Sequence, residues 1–452
     1  MLSRKILIAS LGNGDTNREY KATDYTIEGK IYKNKNYVSA ALQEHYNIDI
    51  IYYIGTMGSM WENIYSYYCE VFEKKKNSDY ENYLFEKIIE FQSFSLEEKA
   101  KTPFTFLDLS KLEETFDKKI RAILTYFGTN DEEIEKNFME ITKILKDLQE
   151  GDELYLDITH SFRSNAFWAF LVLHYVLELS NKNIEVKMIS YGMFEAIKDG
   201  NAGEPCPIIN LNKFYEIMKW MNGANNLKKY GNADELINLI QKSNVRDAIK
   251  DYSEALGMNY IFNIEESIKM VKKLDKHSLE GPASYIIPEI QKNVANHFKN
   301  LKTKHEKMLQ LAEWHYQEKR YALAYLNMNQ ALYNFLEEEL YENQSLKKVK
   351  SKKDKKKEKR EKENTRKKFI QKINNKKSKF NTSEEIYTFW KNMTNTYNSR
   401  NNIAHSDERN TIKEDIEQIP ELLNFYQTIF QEKNYVQKLQ MQLKQYETLK
   451  KD

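Results

Sequence analysis

The chain has 452 residues, 41% of them hydrophobic, and a formal net charge of +2, so it can bury a large core and should divide into two or three domains. Its two cysteines, Cys69 and Cys206, lie in neither a CxxC nor a CxxH pattern, which disfavours a disulfide framework or a zinc site and fits a reducing cytoplasm. The longest apolar run, 166–179, is too short to span a bilayer, and the apolar run at the N-terminus is too short for a secretory signal, so we expect no signal peptide and no membrane partner.

From residue 1 to about residue 210, short β-rich runs alternate with helical stretches. This alternation predicts a Rossmann-like α/β domain with a mostly parallel sheet covered by helices. We predict strands at 5–11, 49–55, 105–109, 153–158 and 185–192, and a candidate edge strand at 207–211. Apolar residues at helical spacing predict helices within 38–46, 59–75, 132–148 and 162–179. The segment 16–33 is more typical of a hairpin than of a helix.

Ligands of open α/β sheets bind at the carboxyl ends of the strands, so the residues that follow each predicted strand are candidate site residues. The first strand ends in SLGNGD, which supplies Gly12, Asn13, Gly14 and Asp15. Its glycines allow tight turns that present backbone N–H groups to an anion. The loop lacks the GxGxxG spacing and no helix is predicted directly after it, which disfavours a nicotinamide site.

The second strand is followed by GTMGSMWE, which supplies Thr56, Gly58 and Ser59 just before a helix that we expect to begin near Met60. Backbone N–H groups and hydroxyls at the start of a helix suit phosphate or ribose oxygens. The alternative is that Ser59 is an ordinary N-cap of that helix.

The strand at 153–158 is followed by the most polar of the three loops, within the sequence LYLDITHSFRSNAF. Its candidate site residues are Asp157, Thr159, His160, Ser161, Arg163 and Ser164. Capping a helix would use one of these side chains, so the others point to a ligand. Arg163 and His160 lie at the unfavourable end of the predicted helix dipole, which an anionic ligand would compensate. Together the three loops predict a site for a polyanionic, nucleotide-like ligand.

After about residue 211 the strand signals disappear and the pattern is helical. Gly281, Pro282 and Pro288 mark a plausible boundary at about 280–290. We therefore divide the chain into a Rossmann-like domain at 1–210, a helical linker at 211–300 and an all-α domain at 301–452. Within the last, strongly periodic segments predict helices at 305–341 and 383–405 and one closing helix over 419–447.

A basic arm, residues 347–380, interrupts the C-terminal domain. It holds 18 Lys or Arg against four acidic residues, a surplus of 14 positive charges, so the rest of the chain has a net charge of about −12. One interpretation is a solvated, low-complexity excursion. The other is a non-specific phosphate-binding arm that concentrates RNA and weakens steeply with salt.

The stretch SRNNIAHSDE, residues 399–408, places Arg400 and Asn401 close to His405. An R-x4-H spacing arises by chance about 0.2 times in a chain of this composition, so the spacing alone decides little. Arginine, histidine and an amide without metal ligands suit RNA cleavage through the 2′-hydroxyl, with proton transfer by histidine and charge stabilisation by arginine. One histidine cannot act as acid and base at once, but two copies meeting in a dimer supply two. The alternative is a surface arginine and a capping histidine at a helix start.

Taken together, SLGNGD, GTMGSMWE, DITHSFRS and RNNIAH, in this order along the chain, resemble the CRISPR-associated CARF-HEPN ribonucleases of type III systems. The first three motifs resemble the ligand loops of the CARF sensor domain, and the fourth resembles the R-x4-6-H signature of the HEPN nuclease domain. The resemblance covers most of the chain, although Ser161 stands where the family often has glycine, and the basic arm is unusually long.

The resemblance implies a homodimer, or a higher oligomer, that binds a cyclic oligoadenylate at the CARF-like domain and then cuts single-stranded RNA without a metal or another cofactor. It favours cyclic tetra-adenylate over the hexamer. It also raises the question of whether the sensor degrades its activator, for which Thr159 and His160 are the residues to test. Two rivals are a non-enzymatic nucleotide-sensing regulator that grips nucleic acid with the basic arm, and a metal-dependent DNase, which the lack of a carboxylate/histidine cluster disfavours.

Overall fold

The computed structural model describes residues 3–13, 22–160, 170–171, 174–175, 182–197, 204–275, 277, 279–296, 298, 301–341, 383–405 and 412–448. The chain forms two compact units, Met1–Glu216 and Ile217–Asp452. No helix in the described part has the length and apolar character that crossing a membrane requires.

The N-terminal unit is built on a mixed sheet, which has eight strands within the described residues. The strands are β1 Lys5–Leu11, β2 Thr23–Ile27, β3 Lys30–Lys35, β4 Ile50–Thr56, β5 Ile120–Thr125, β6 Glu153–Asp157, β7 Glu185–Gly192 and β8 Cys206–Asn210. Their order across the sheet is β3-β2-β8-β7-β6-β1-β4-β5. The five neighbours β7, β6, β1, β4 and β5 are parallel, so their carboxyl ends meet at one edge. On one side of β1 the parallel strands β4 and β5 follow in chain order, and on the other side β6 and β7 follow. The boundary between β6 and β1 is therefore the topological switch point, where such sheets bind ligands.

Helices cover the sheet. Those described in this unit are α1 Val38–Tyr46, α2 Trp61–Val71, α3 Ser78–Ser93, α4 Leu96–Lys101, α5 Ser110–Thr115, α6 Asp131–Ile141 and α7 Ile144–Asp147. Alternate residues of β1 enter two different apolar cores: Leu7 and Ala9 belong to one, and Ile6 and Ile8 to the other. Because successive strand side chains point to opposite faces, this division shows that both faces of the central strands are buried.

The predicted α/β architecture is confirmed, with three corrections. The predicted hairpin is present, since β2 and β3 pair antiparallel through a turn at Glu28 and Gly29, both with positive φ. The strand predicted at 105–109 is wrong: Phe104–Phe106 is a 3₁₀ turn after Pro103, and its rings pack on Phe94 and Tyr126. The prediction missed β5 altogether. The candidate edge strand is also misplaced, because β8 lies inside the sheet between β2 and β7.

From Asn212 onward the described residues contain helices and no strand. These helices are α8 Asn212–Tyr230, α9 Asp234–Leu239, α10 Ser243–Met258, α11 Ile261–Lys272, α12 Ala283–Asn296, α13 Lys304–Gln317, α14 Tyr321–Phe335, a π-helical segment Leu336–Tyr341, α15 Glu384–His405, α16 Ile412–Gln431 and α17 Lys433–Thr448. Two apolar cores follow each other along the chain, one between Trp220 and Leu311 and one between Met308 and Leu439.

Two details differ from the predicted helices. Pro288 lies inside α12 and does not end a segment. The closing helix predicted over 419–447 is two helices, because α16 ends at Gln431 and α17 begins at Lys433. The basic arm at 347–380 and most of the helix predicted at 162–179 lie outside the described residues.

Candidate functional site

The loop after β4 is joined to the end of β1 by Ser59, whose side chain is fully buried. The Ser59 hydroxyl donates to the Leu11 carbonyl oxygen at 2.9 Å and accepts from the Thr56 N–H at 2.9 Å. Met60, not Ser59, is the N-cap of α2, and it makes no side-chain cap bond, so the N-cap interpretation of Ser59 is wrong. Ser59 and Thr56, which is equally buried, therefore fix the shape of the loop from its buried side.

The loop after β1 is held against the same feature. The Met60 N–H donates to the Gly12 carbonyl oxygen at 3.2 Å, and Asn13 Oδ1 lies 3.4 Å from the Ser59 hydroxyl. The Gly58 N–H donates to the Thr56 hydroxyl at 3.3 Å. Gly12, Asn13, Thr56, Gly58 and Ser59 thus form one hydrogen-bonded rim at the carboxyl ends of the adjacent strands β1 and β4.

On the other side of β1, the end of β6 is tied to β7 through Asp157 and Thr159. Asp157 Oδ1 accepts from the Thr159 N–H at 3.1 Å and from the Thr159 hydroxyl at 2.5 Å. The Thr159 hydroxyl oxygen in turn accepts from the Gly192 N–H at 2.8 Å. The side chains of Asp157 and Thr159 therefore set the shape of the loop after β6. Through them, the hydrogen-bonded edge of the sheet extends to the end of β7.

His160 lies among aromatic rings, and its side chain is half-buried. Its ring centroid is 6.5 Å from that of Tyr37 and 6.2 Å from that of Phe194, which is 40% exposed. Burial lowers the pKa of His160 to about 4, so the imidazole is neutral at pH 7. The expected unfavourable charge of His160 at a helix start is therefore absent. What this part of the site offers is a hydrogen-bonding ring beside an aromatic face.

Burial acts in the opposite direction on Asp157, which has no exposed surface. It raises the pKa of Asp157 to about 6, and the two bonds from Thr159 lower it by less. Within the described residues, Asp157 Oδ2 is buried without a hydrogen-bond partner. The Asp157 carboxyl group at the switch point of the sheet therefore changes between its protonated and ionised forms near pH 6.

The described candidates from all three loops lie at one edge of the sheet, on both sides of β1. Five further candidates lie outside the described residues: Gly14, Asp15, Ser161, Arg163 and Ser164.

Sequence reasoning missed Gly55 and Gly192, which make the close approaches of this edge possible. A Cβ atom on Gly192 would lie 2.7 Å from Val38 Cγ2 and 3.2 Å from Thr159 Cγ2. A Cβ atom on Gly55 would lie 2.8 Å from the Ser59 hydroxyl oxygen. It also missed the aromatic groups Tyr37 and Phe194. The available signal was the SYGMF sequence at the end of a predicted strand. Residues at the carboxyl end of a strand are candidate site residues here, as they are in the three loops above.

In the helical unit, Arg400, Asn401 and His405 lie in the last two described turns of α15, so they do not lie at the start of that helix. Arg400 Nη1 donates to Asn401 Oδ1 at 3.0 Å. Residues four apart on an α-helix are separated by about 40° and residues five apart by about 140°. Asn401 and His405 therefore share a face, and Asn401 connects Arg400 to that face. His405 is exposed and Arg400 is half-buried.

The described end of α15 is anchored at Ser399, the residue directly before this group. The Ser399 hydroxyl donates to Asp415 Oδ1 at 2.7 Å, and the Tyr325 hydroxyl donates to the Asp415 carbonyl oxygen at 2.6 Å. Deeper in the helix, the hydroxyls of Thr396 and Tyr426 lie 2.8 Å apart in a buried position. Helices α14, α15 and α16 thus fix the direction in which the last turns of α15 project.

Comparison with known proteins gives two family matches. Residues 6–195 match the family model of the CARF domain of the CRISPR system endoribonuclease Csx1. Residues 216–307 match the model of the second domain of the CRISPR-associated protein MJ1674. The first match contains all the described residues of the sheet-edge site.

The CRISPR-associated protein MJ1674 of Methanocaldococcus jannaschii is 28% identical over 437 residues, which cover 89% of this chain. The chain spans 62% of the length of that relative. The solved structure of Enterococcus italicus Csm6 bound to cyclic hexa-2'-fluoro-hexa-dAMP covers 98% of this chain and is itself covered to 99%, at 14% identity and a TM-score of 0.38. Both family matches and this relative are thus CRISPR-associated proteins, and residues 6–195 are similar to the CARF domain of one of them.

Proposed function

We propose that this protein is an endoribonuclease of type III CRISPR antiviral defence that a cyclic oligoadenylate switches on. The observation that carries the proposal is the match of residues 6–195 to the CARF domain of an endoribonuclease, with the candidate loops of that domain gathered at one sheet edge. Cyclic tetra-adenylate is the favoured activator. Gly12, Asn13, Thr159 and His160 are the described residues that we expect nearest to it.

The chemistry of the described edge supports a ligand with flat bases. It presents the exposed ring of Phe194 beside a neutral imidazole, together with amide and hydroxyl groups. Adenine can stack on an aromatic face and hydrogen-bond to neutral groups. Thr56 and Ser59 would act by holding the rim and not by direct contact, since both are buried.

The proposed nuclease site is an HEPN-type site at the end of α15. His405 transfers a proton, Arg400 stabilises the negative charge that develops on the phosphate, and Asn401 orients Arg400 through the hydrogen bond between them. Attack by the RNA 2′-hydroxyl then leaves a 2′,3′-cyclic phosphate and a free 5′-hydroxyl, with no metal in the reaction. Since acid and base must act in one step, two copies of α15 in a homodimer form the complete site.

The test is cleavage of a fluorescent single-stranded RNA with each ring size of cyclic oligoadenylate, in EDTA. We expect cleavage that depends on the activator, is strongest with cyclic tetra-adenylate and is lost in His405→Ala. The exposed His277→Ala is the matched control and should cleave like the wild type. Equal cleavage with and without activator would contradict the switch.

The same assay addresses the two rivals. A non-enzymatic regulator predicts no activator-dependent cleavage, with cyclic oligoadenylate binding intact in both the wild type and His405→Ala. A metal-dependent nuclease predicts loss of cleavage in EDTA and its return with Mg²⁺ or Mn²⁺. Retained cleavage in His405→Ala would remove the proposed catalytic role of α15.

A further inference from the structure

The helical unit contains a cavity of about 690 Å³ that neither candidate site uses. Residues of α8, α10, α12 and α13 line it. A cavity of this size suits one small molecule or one extruded group of a larger one. Its apolar wall includes Leu227, Tyr252, Ile290, Leu311 and Trp314.

Trp314 is the part of the wall best suited to a flat ring. The guanidinium carbon of Arg320 lies 3.9 Å from the Trp314 ring centroid, and Arg320 itself does not line the cavity. Burial lowers the pKa of Arg320, and within the described residues its Nε and Nη2 atoms are buried without hydrogen-bond partners. The indole is therefore a main contact of this cation. The guanidinium occupies one face of the indole, so a further flat group can stack only on the opposite face.

The polar groups of the cavity define what that flat group carries. They include the carboxamides of Asn225, Asn293 and Gln310, the carboxylates of Glu289 and Glu318, and the ammonium group of Lys228. Carboxamides both donate and accept hydrogen bonds, as the edges of nucleobases do. Carboxylates only accept, so they favour a ligand with N–H donors. One lysine beside two carboxylates is a poor site for a phosphate group.

We propose that this cavity binds a single nucleobase that carries an exocyclic amino group, that is adenine, cytosine or guanine. The base stacks on Trp314, its amino group donates to Glu289 or Glu318, and its ring edge pairs with the carboxamides. Uracil lacks the amino group and binds weakly. A free nucleoside and an unpaired base of RNA present the same chemistry, and the experiment distinguishes these sources.

Cytidine and uridine are the matched probes, because they differ by the amino group at one ring position. Calorimetric titration of the full chain, with cyclic tetra-adenylate present to occupy the sheet-edge site, should show cytidine binding at least tenfold more tightly than uridine. The double variant Glu289→Gln, Asn293→Ala should weaken cytidine binding at least tenfold. The matched control is Asn263→Ala, Glu266→Gln, which changes the same residue types at exposed positions of α11 outside the cavity. Trp314→Phe should weaken binding less than Trp314→Ala.

Binding of a cytosine-rich 2′-O-methyl RNA tetramer, which the proposed nuclease cannot cut, distinguishes an unpaired RNA base from a free nucleoside. The cavity is assigned to RNA if the single strand binds more tightly than cytidine, if the double variant loses this binding, and if the same strand does not bind when it is in a duplex. Binding of cytidine alone assigns it to a free nucleoside. Equal affinity for cytidine and uridine, no binding of either probe, or cytidine binding that the double variant Glu289→Gln, Asn293→Ala leaves unchanged would overturn the proposal. None of these readouts measures cleavage, so they are independent of the proposed nuclease.

Discussion

At the scale of single residues, Asp157 shows how burial and function meet at the sheet edge. Its ordinary pKa of 3.8 is raised to about 6 in the folded chain, so between these values the native state holds a proton that the unfolded state has lost. Stability should therefore fall as pH rises from 4 to 6, by up to about 3 kcal/mol for a shift of this size.

Asp157→Asn removes this pH dependence while keeping an oxygen that can accept from Thr159. We expect the free energy of unfolding of the variant, relative to the wild type, to improve between pH 4 and pH 7 by about 2–3 kcal/mol. Urea unfolding measured at several pH values checks this. Parallel pH profiles of the two proteins would mean that Asp157 keeps an ordinary pKa.

Gly192 provides a steric prediction at the same edge. In Gly192→Ala the new methyl group meets Val38 and Thr159 at 2.7 Å and 3.2 Å, so the end of β7 must shift. We expect a loss of about 1–3 kcal/mol in the free energy of unfolding and weaker binding of cyclic tetra-adenylate. The control is Gly257→Ala in α10, where a Cβ atom has no neighbour within 4 Å and the change should stabilise the helix by about 0.5–1 kcal/mol. Equal effects of the two substitutions on ligand binding would contradict this explanation.

Ser59 shows why the roles of single residues were harder to predict than their positions. The sequence placed Ser59 correctly after a strand, but its partners, the Leu11 carbonyl and the Thr56 N–H, depend on the register of β1 against β4. That register joins residues some 45 positions apart, and no local pattern contains it. Gly192 was missed for the same reason, because the atom that leaves no room for a side chain there belongs to Val38, on another element.

At the scale of elements, apolar runs buried on both faces were the most predictable feature. The predicted spans of β1 and β7 equal the observed ones, because each contains consecutive buried residues, Ile6–Leu11 in β1 and Met188–Ser190 in β7. In contrast, β5 was missed; it lies at the edge of the described sheet and carries Arg121, which forms an ion pair with Asp147 at 2.6 Å. The apolar run at 105–109 was mistaken for a strand; its one phenylalanine, Phe106, packs in an aromatic cluster with Phe91 and Phe94.

Helix α15 provides a prediction at this scale, because its end is held by Ser399 and Asp415. In Ser399→Ala the helix keeps Arg400, Asn401 and His405 but loses the 2.7 Å bond to α16. Loose positioning of catalytic groups lowers the rate of the chemical step, so we expect the RNA cleavage rate to fall about tenfold with unchanged binding of the activator. Thr388→Ala on the same helix is the control, since among the described residues the Thr388 hydroxyl bonds to the Glu384 carbonyl of its own helix and to no other group. A similar effect of both variants would show general loss of helix stability and no positioning role.

At the scale of the whole molecule, charge is divided between the arm at 347–380 and the rest of the chain. The arm carries 14 surplus positive charges, and the remainder is acidic. If the arm binds phosphates, replacing its lysines by glutamine should weaken single-stranded RNA binding and flatten its salt dependence, since each phosphate that the protein neutralises contributes about 0.7 to the slope. Fluorescence anisotropy at several salt concentrations measures both quantities. An unchanged slope would support a solvated excursion with no role in RNA binding.

The proposed nuclease site makes the assembly itself part of the chemistry. Each chain has one His405 on α15, and cleavage through the 2′-hydroxyl requires an acid and a base in the same step. Cleavage per chain should therefore fall as the protein is diluted below the dissociation constant of its dimer, even with saturating activator. Mass photometry over the same concentrations gives the dimer fraction, and the two curves should coincide. Constant activity per chain through the dissociation range would show that one copy of Arg400, Asn401 and His405 suffices, and the second proton transfer would then belong to another residue of the same chain.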